Sequence, residues 1–146
     1  MKEVTLTLCL FLPVFAMSQS SQHVTEEFLQ SFADAFNAHD IKGIMSHMTD
    51  DCIFEASAGP DVDGQKYTGQ DQVKMAFMEV FETFPDARWN HPRHLLSGNR
   101  GLTEWTFTGT RKDGTKVEVT GCDLFTFRDG KIAIKNSYRK NRIASR

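Results

Sequence analysis

One acidic residue, Asp123, has the sequence setting of a catalytic acid or base. It stands in the stretch GCDLFTFRDGKI, which alternates like a β-strand and then reaches Asp129-Gly130, a tight-turn signal. The alternation puts Asp123 on one face with Phe125 and Phe127. A carboxylate among phenylalanines is costly unless it has a partner or a task. We expect it to line a pocket as an acid or base, the alternative being a buried aspartate bonded to a tyrosine or histidine.

Two histidines in WNHPRHLL are candidate partners for this carboxylate. His91 and His94 lie three residues apart, so a regular strand places them on opposite faces. Regular alternation puts His91 on the face of Trp89, which makes His91 the favoured catalytic partner and His94 the alternative. Pro92 lies between them, and a bulge there would reverse this assignment.

Composition and spacing argue against several other classes of function. The three cysteines show no CxxC or Cys/His ligand spacing, and the glycines form no phosphate-binding loop, so we expect no metal site and no cofactor. A net charge of −2 without a long basic run argues against nucleic-acid binding.

Residues 1–18 are set apart from the rest of the chain. Their apolar run is too short to span a membrane. Lys2, the apolar middle and the small residues Ala16 and Ser18 fit a signal peptide, whereas Met17 would make an ordinary start for a cytoplasmic protein. The protein is therefore expected to be exported in the first case and cytoplasmic in the second.

The remaining chain predicts helices first and strands last. Thr25 is a candidate N-cap, and Pro85 ends the most clearly amphipathic helix. The expected helices cover 25–38, 41–48 and 73–84, and the expected strands cover 52–56, 87–97, 102–111, 115–128 and 131–139. This order indicates a single α+β domain over residues 22–142, with an antiparallel meander covered on one face by helices.

Three stretches, AFNAHDIKGIMSHMTDD (35–51), YTGQDQVKMAFMEVFETFPD (67–86) and GCDLFTFRDGKI (121–132), resemble the nuclear transport factor 2-like superfamily. Within it, they resemble the polyketide cyclase (SnoaL-like) group. The resemblance implies a cone-shaped, curved antiparallel sheet whose N-terminal helices enclose an apolar pocket. It also implies a homodimer through the outer face of the sheet.

The family's catalytic residues are only partly present. Aligned with ketosteroid isomerases of this fold, the base position falls on Ala56 and the tyrosine on Phe32, while the second acid is retained as Asp123. The aspartate that precedes a tyrosine in epoxide hydrolases of this fold is replaced by Ser137, before Tyr138. The cyclases are more similar, and the resemblance implies that Asp123 is their single acid/base, working without metal or cofactor.

The sequence thus supports two hypotheses of different class. One is a cofactor-independent acid/base enzyme, cyclase- or isomerase-like, acting on a small apolar carbonyl compound through Asp123 and His91. The other is a non-catalytic module that binds a hydrophobic ligand or forms a dimer. The expected pocket residues are Phe32, Tyr67, Trp89, His94, Trp105, Phe125 and Tyr138.

Overall fold

A computed structural model describes residues 23–142, so the N-terminal segment of residues 1–18 lies outside the described residues. Three helices and six strands follow one another in this range. They are α1 (Glu26–Asn37), α2 (Ile41–Ser46), β1 (Met48–Glu55), β2 (Lys66–Thr68), α3 (Gly69–Thr83), β3 (Arg88–Ser97), β4 (Arg100–Thr110), β5 (Lys116–Arg128) and β6 (Lys131–Arg139). None of these helices is long and apolar enough to cross a membrane.

The strands form one curved, unclosed sheet in the order β2-β1-β6-β5-β4-β3. The pair β1 and β6 is parallel and every other pair is antiparallel. The last four strands are joined by consecutive hairpins, which confirms the predicted meander of the last three strands and adds β3 to it. Helices on the inner face complete the expected α+β architecture.

Side-chain hydrogen bonds cap the start of helix α1 and attach its end to β3. Thr25 caps it by accepting a bond from the backbone N–H of Phe28 at 3.3 Å. At its other end, the amide of Asn37 pairs with both backbone groups of Trp89, at 2.8 and 3.1 Å. These two bonds hold the start of β3 against α1, so that the buried face of α1 covers the inner side of the sheet.

The region after α1 differs from the prediction. Helix α2 ends at Ser46 rather than near residue 48, β1 begins at Met48 rather than Cys52, and β2 was not predicted. Met48 is fully buried in β1. An apolar residue at this position fits a buried strand as well as a buried helix face, so the sequence pattern did not distinguish the two. The side-chain amide of Gln70 lies within 3.1–3.3 Å of three carbonyls around this helix end, those of Met45, Met48 and Thr49, and so stabilises the early ending.

Two β-bulges set which side chains face the helices. On β3, the pairing with β4 slips by one residue between Asn90 and Arg93, and His91 adopts a φ of 55°. On β6, the pairing with β5 skips Ala133. Each bulge exchanges the inner and outer faces for the strand residues beyond it, because side chains alternate with period two.

Candidate active site

Asp123 lies on the inner face of β5 and is 5% exposed. Its carboxylate accepts three hydrogen bonds from side chains. The Nε1 atom of Trp105 donates to Oδ2 at 3.0 Å, and Oδ1 accepts from Lys135 Nζ at 2.6 Å and from Ser137 Oγ at 2.5 Å. The charge that seemed unsupported in the sequence is therefore fully paired.

Lys135 is as deeply buried as its partner, at 5% exposure. Its ammonium group also donates to Ser137 Oγ at 2.7 Å and lies 5.6 and 5.0 Å from the ring centres of Phe36 and Phe54. Burying either charge alone would cost several kcal/mol, so each group offsets the burial of the other as its counter-ion.

The bulge at Ala133 explains why this pair could not be read from the alternation alone. A regular hairpin from the Asp129-Gly130 turn would place Asn136 opposite Asp123, whereas the bulged strand places Ser137 there. Lys135 thereby faces inward and Tyr138 outward. The available signal was a lysine in the apolar run KIAIKNS, two residues before a serine.

A glycine makes room for the indole that contacts the carboxylate. Trp105 pairs with Gly121 across the β4–β5 ladder. A Cβ atom at Gly121 would collide with the indole ring. The missing side chain thus allows Trp105 to lie across β5 with its N–H directed at Asp123.

Next to the carboxylate is a small cavity of about 20 Å³. Asp123, Lys135 and Thr103 supply its polar atoms, and side chains of α1 close it on the opposite side. A cavity needs roughly 10–15 Å³ and a few polar partners to hold one water molecule. The space fits a single water and no larger ligand.

A larger cleft of about 300 Å³ lies between α3 and the inner face of the sheet. Its wall is mainly aromatic, and the rings of Phe54 and Tyr67 stack there at 5.8 Å with an angle of 13°. Lys135, Ser137 and Arg139 line the cleft from β6, and Glu79 lines it from α3. Of these two spaces, Asp123 lines only the small cavity. The cleft is therefore lined by Lys135, the hydrogen-bond donor of the ion pair, and not by its acceptor.

The structure gathers most of the predicted site residues around these two spaces. Phe32 and Phe125 lie beside Asp123 at the small cavity, Trp89 and Trp105 line both spaces, and Tyr67 lines the cleft. Lys135, Ser137, Arg139 and Glu79 were missed by the sequence analysis.

The other three predicted residues lie elsewhere. His91, expected beside Asp123, is exposed and lines a groove on the outer face of the sheet, because the bulge turns it outward. Tyr138 lines the same groove and is 53% exposed. The expected pairing of Asp123 with His91 is therefore corrected to a pairing with Lys135.

His94 does point inward, as the bulge alternative requires, but it does not contact Asp123. Its Nδ1 is 2.9 Å from Thr103 Oγ1 and its Nε2 is 3.2 Å from Gln30 Oε1. Burial lowers the pKa of His94, with Glu26 and Asp34 acting in the opposite direction. A neutral imidazole whose Nε2 donates to Gln30 and whose Nδ1 accepts from Thr103 satisfies both contacts, so His94 links α1 to the sheet.

Within residues 23–142, no three His, Cys, Asp or Glu side chains are grouped so that they could hold a metal ion. The polar groups that line the cleft include two cations, one carboxylate and the hydroxyls of Ser57, Tyr67, Thr83 and Ser137. Such a set can donate hydrogen bonds to a carbonyl or anionic oxygen.

The helices packed on a curved, open sheet define the class of protein as the nuclear transport factor 2-like fold. More narrowly, residues 29–134 match the SnoaL-like domain, and the chain belongs to that family. No curated protein matches the sequence.

Solved structures with the same fold carry several descriptions. A protein from Pseudomonas putida KT2440 described as a candidate polyketide cyclase has a TM-score of 0.68 and 21% identity, covering 80% of this chain and 91% of its own. TerC, co-crystallised with polyporic acid, has a TM-score of 0.67 and 23% identity, with coverages of 79% and 90%. A ketosteroid isomerase-like protein from Catenulispora acidiphila, in complex with trimethylamine, has a TM-score of 0.69 and 17% identity, with coverages of 79% and 86%. At these identities the likeness concerns the fold.

Proposed function

We propose that the protein is a cofactor-independent acid/base enzyme that acts on a small, largely apolar carbonyl compound. The observation that carries the proposal is the buried Asp123–Lys135 pair at the boundary of an aromatic cleft of about 300 Å³. Perturbed or paired ionisable groups inside a cleft are typical of catalytic sites.

The proposed reaction begins with removal of a proton α to the carbonyl. The carbonyl oxygen accepts a hydrogen bond from Lys135, which stabilises the negative charge that develops on it. The α C–H bond breaks, its electron pair forms the enolate, and Asp123 receives the proton through the water that the small cavity can hold. Return of the proton to a different carbon completes an isomerisation. In a ring closure, the enolate carbon instead forms a C–C bond to a second carbonyl carbon of the substrate, the C=O π bond breaks to give an alkoxide, and the alkoxide oxygen takes the proton.

The proposal is supported by the family and by its structural neighbours. Structures described as polyketide cyclases and isomerases share the fold, and one neighbour was crystallised with polyporic acid. These descriptions belong to the neighbours. They favour a small carbonyl compound over a nucleotide or a peptide as the substrate here.

Hydrogen–deuterium exchange at the α-carbon of 2-tetralone in D₂O, followed by proton NMR, would test the first step. The wild type is expected to accelerate the exchange, and Asp123→Asn should lower the acceleration by about 10²–10⁴-fold, the usual contribution of a positioned acid or base. Glu118→Gln, on the exposed outer face of β5, is the matched control and should retain the wild-type rate.

If folded wild-type protein accelerates exchange in neither 2-tetralone nor related cyclic ketones, the proposal is wrong. The same holds if Asp123→Asn exchanges as fast as the wild type while remaining folded by circular dichroism.

A non-catalytic protein that binds a small hydrophobic molecule is the second candidate. It is favoured by the three hydrogen bonds that already engage both oxygens of Asp123. Under this alternative, 2-tetralone would bind in the cleft without any acceleration of exchange.

We also propose that the protein forms a homodimer through the outer face of the sheet. Leu95, Leu102 and Leu124 are neighbours across β3, β4 and β5 on that face. Leu95 is 65% exposed, although its neighbour Leu96 packs against the core. A row of leucines on an open sheet face is better explained by a partner than by solvent.

A further inference from the structure

We propose that the cleft between α3 and the sheet selects planar aromatic anions, and that Lys135 is the residue that recognises their charge. The inference rests on the proposed function only in taking this cleft as the ligand site. It concerns what binds there, whether or not a reaction follows.

The first argument is the orientation of the buried ion pair. Lys135 lines both the cleft and the small cavity, whereas Asp123 lines the small cavity but not the cleft. A ligand in the cleft therefore meets the ammonium group first. The pair is neutral as a whole, yet its positive end faces the space where a ligand would lie.

The second argument is the remaining hydrogen-bonding capacity of Lys135. An ammonium group has three N–H donors. Two of them bind Asp123 Oδ1 and Ser137 Oγ, and among residues 23–142 the third has no oxygen or nitrogen acceptor. The rings of Phe36 and Phe54, both of which line the cleft, have their centres 5.6 and 5.0 Å from the ammonium nitrogen. An anionic oxygen from a ligand would complete its coordination.

The third argument is the charge and shape of the rest of the cleft. Arg139 adds a second cation from β6, against the single carboxylate of Glu79 on α3. The nearly parallel rings of Phe54 and Tyr67 form a wall suited to a flat ligand. A small cation would gain the aromatic contacts but would be repelled by both basic groups.

The test compares two ligands of the same shape and different charge. Isothermal titration calorimetry with 2-naphthoate and 2-naphthamide measures the preference of the wild type for the anion. Hydrogen bonds to a charged acceptor are roughly twice as strong as neutral ones, so we expect 2-naphthoate to bind about tenfold more tightly or better.

The variants separate Lys135 from the other cations. Lys135→Met alone would leave the Asp123 charge buried and unpaired, so the informative variant is Asp123→Asn with Lys135→Met, which removes both charges. It should lose the preference for 2-naphthoate while still binding 2-naphthamide. Lys131→Met, an exposed lysine of the same strand, should keep the preference, and Arg139→Gln should keep most of it.

Several outcomes would overturn the inference. Equal affinities of the wild type for the two ligands, or no binding of 2-naphthoate at millimolar concentration, would show that the cleft does not select anions. Persistence of the preference in the double variant, or its loss in Arg139→Gln, would assign recognition to another residue. Exchange of 2-tetralone, a neutral ketone, can succeed or fail independently, so the two proposals are tested separately.

Discussion

At the scale of single residues, the inner site depends on two charges that cannot be buried one at a time. Asp123 and Lys135 are each 5% exposed, and Lys135 Nζ lies 2.6 Å from Asp123 Oδ1. Ser137 and Trp105 each donate a further hydrogen bond to the carboxylate. Such a pair is costly to assemble, and replacing both groups by neutral ones is often tolerated, whereas removing one partner is not.

Lys135→Met is therefore expected to lower the free energy of unfolding by about 3–5 kcal/mol, because it leaves a buried carboxylate without its counter-ion. Asp123→Asn combined with Lys135→Met should be within about 2 kcal/mol of the wild type. Urea denaturation followed by fluorescence would measure both. A cost below about 1 kcal/mol for Lys135→Met would mean that the lysine is solvated rather than buried beside Asp123.

At the scale of secondary-structure elements, two bulges determine which residues form the site. The bulge on β3 turns His91 outward and His94 inward, and the bulge on β6 turns Lys135 inward and Tyr138 outward. Regular strands would produce the opposite arrangement in both places. The site is thus defined by interruptions of the alternation rather than by the alternation itself.

Substitutions at His91 test the bulge on β3. A non-glycine residue with φ of 55° is strained, and a β-branched residue is strained most. His91→Gly should be as stable as the wild type or up to about 1 kcal/mol more stable, and His91→Val should be about 1–2 kcal/mol less stable. Arg93→Val, on the same strand and also exposed, is the control and should change the stability by less than His91→Val in thermal or urea unfolding. If His91→Val were as stable as the wild type, the strand would be regular at this point.

These elements also show how far the sequence alone could lead. The cap at Thr25, the end of α3 before Pro85 and the two hairpins that join the last three strands were predicted because each depends on local signals. Asp123 was found because it shares a strand face with phenylalanines. Lys135 was missed because its orientation depends on a one-residue slip against a neighbouring strand, which leaves no pattern within β6. A bulge at Pro92 was one of the two alternatives that the sequence left open. Which face of the sheet carries His91 depends on the register of β3 against β4, and the sequence of β3 alone does not contain that register.

At the scale of the whole molecule, the two faces of one sheet present different surfaces. The inner face carries the ion pair and the aromatic cleft under α1 and α3. The outer face presents the row of Leu95, Leu102 and Leu124. The proposed ligand site and the proposed dimer contact therefore lie on opposite sides of the same strands, so that each proposal can be tested by substitutions that leave the other face unchanged.

A charge placed in the leucine row should separate the dimer. Light scattering coupled to size-exclusion chromatography is expected to give twice the chain mass for the wild type and a single chain mass for Leu95→Asp. Met75→Asp, at 61% exposure on α3, replaces a hydrophobic residue of similar exposure on another surface and should remain dimeric. A monomeric wild type at micromolar concentration would contradict the proposed dimer.

The central claim is that Asp123 and Lys135 act as one catalytic unit on a carbonyl compound in the cleft. A double-mutant cycle on the α-exchange of 2-tetralone tests it most directly, using Asp123→Asn, Lys135→Met and their combination, each measured below its unfolding temperature. Residues that act together are strongly non-additive. We expect the double variant to exchange no more slowly than the slower single variant. Losses that multiply, or a double variant as active as the wild type, would contradict the claim.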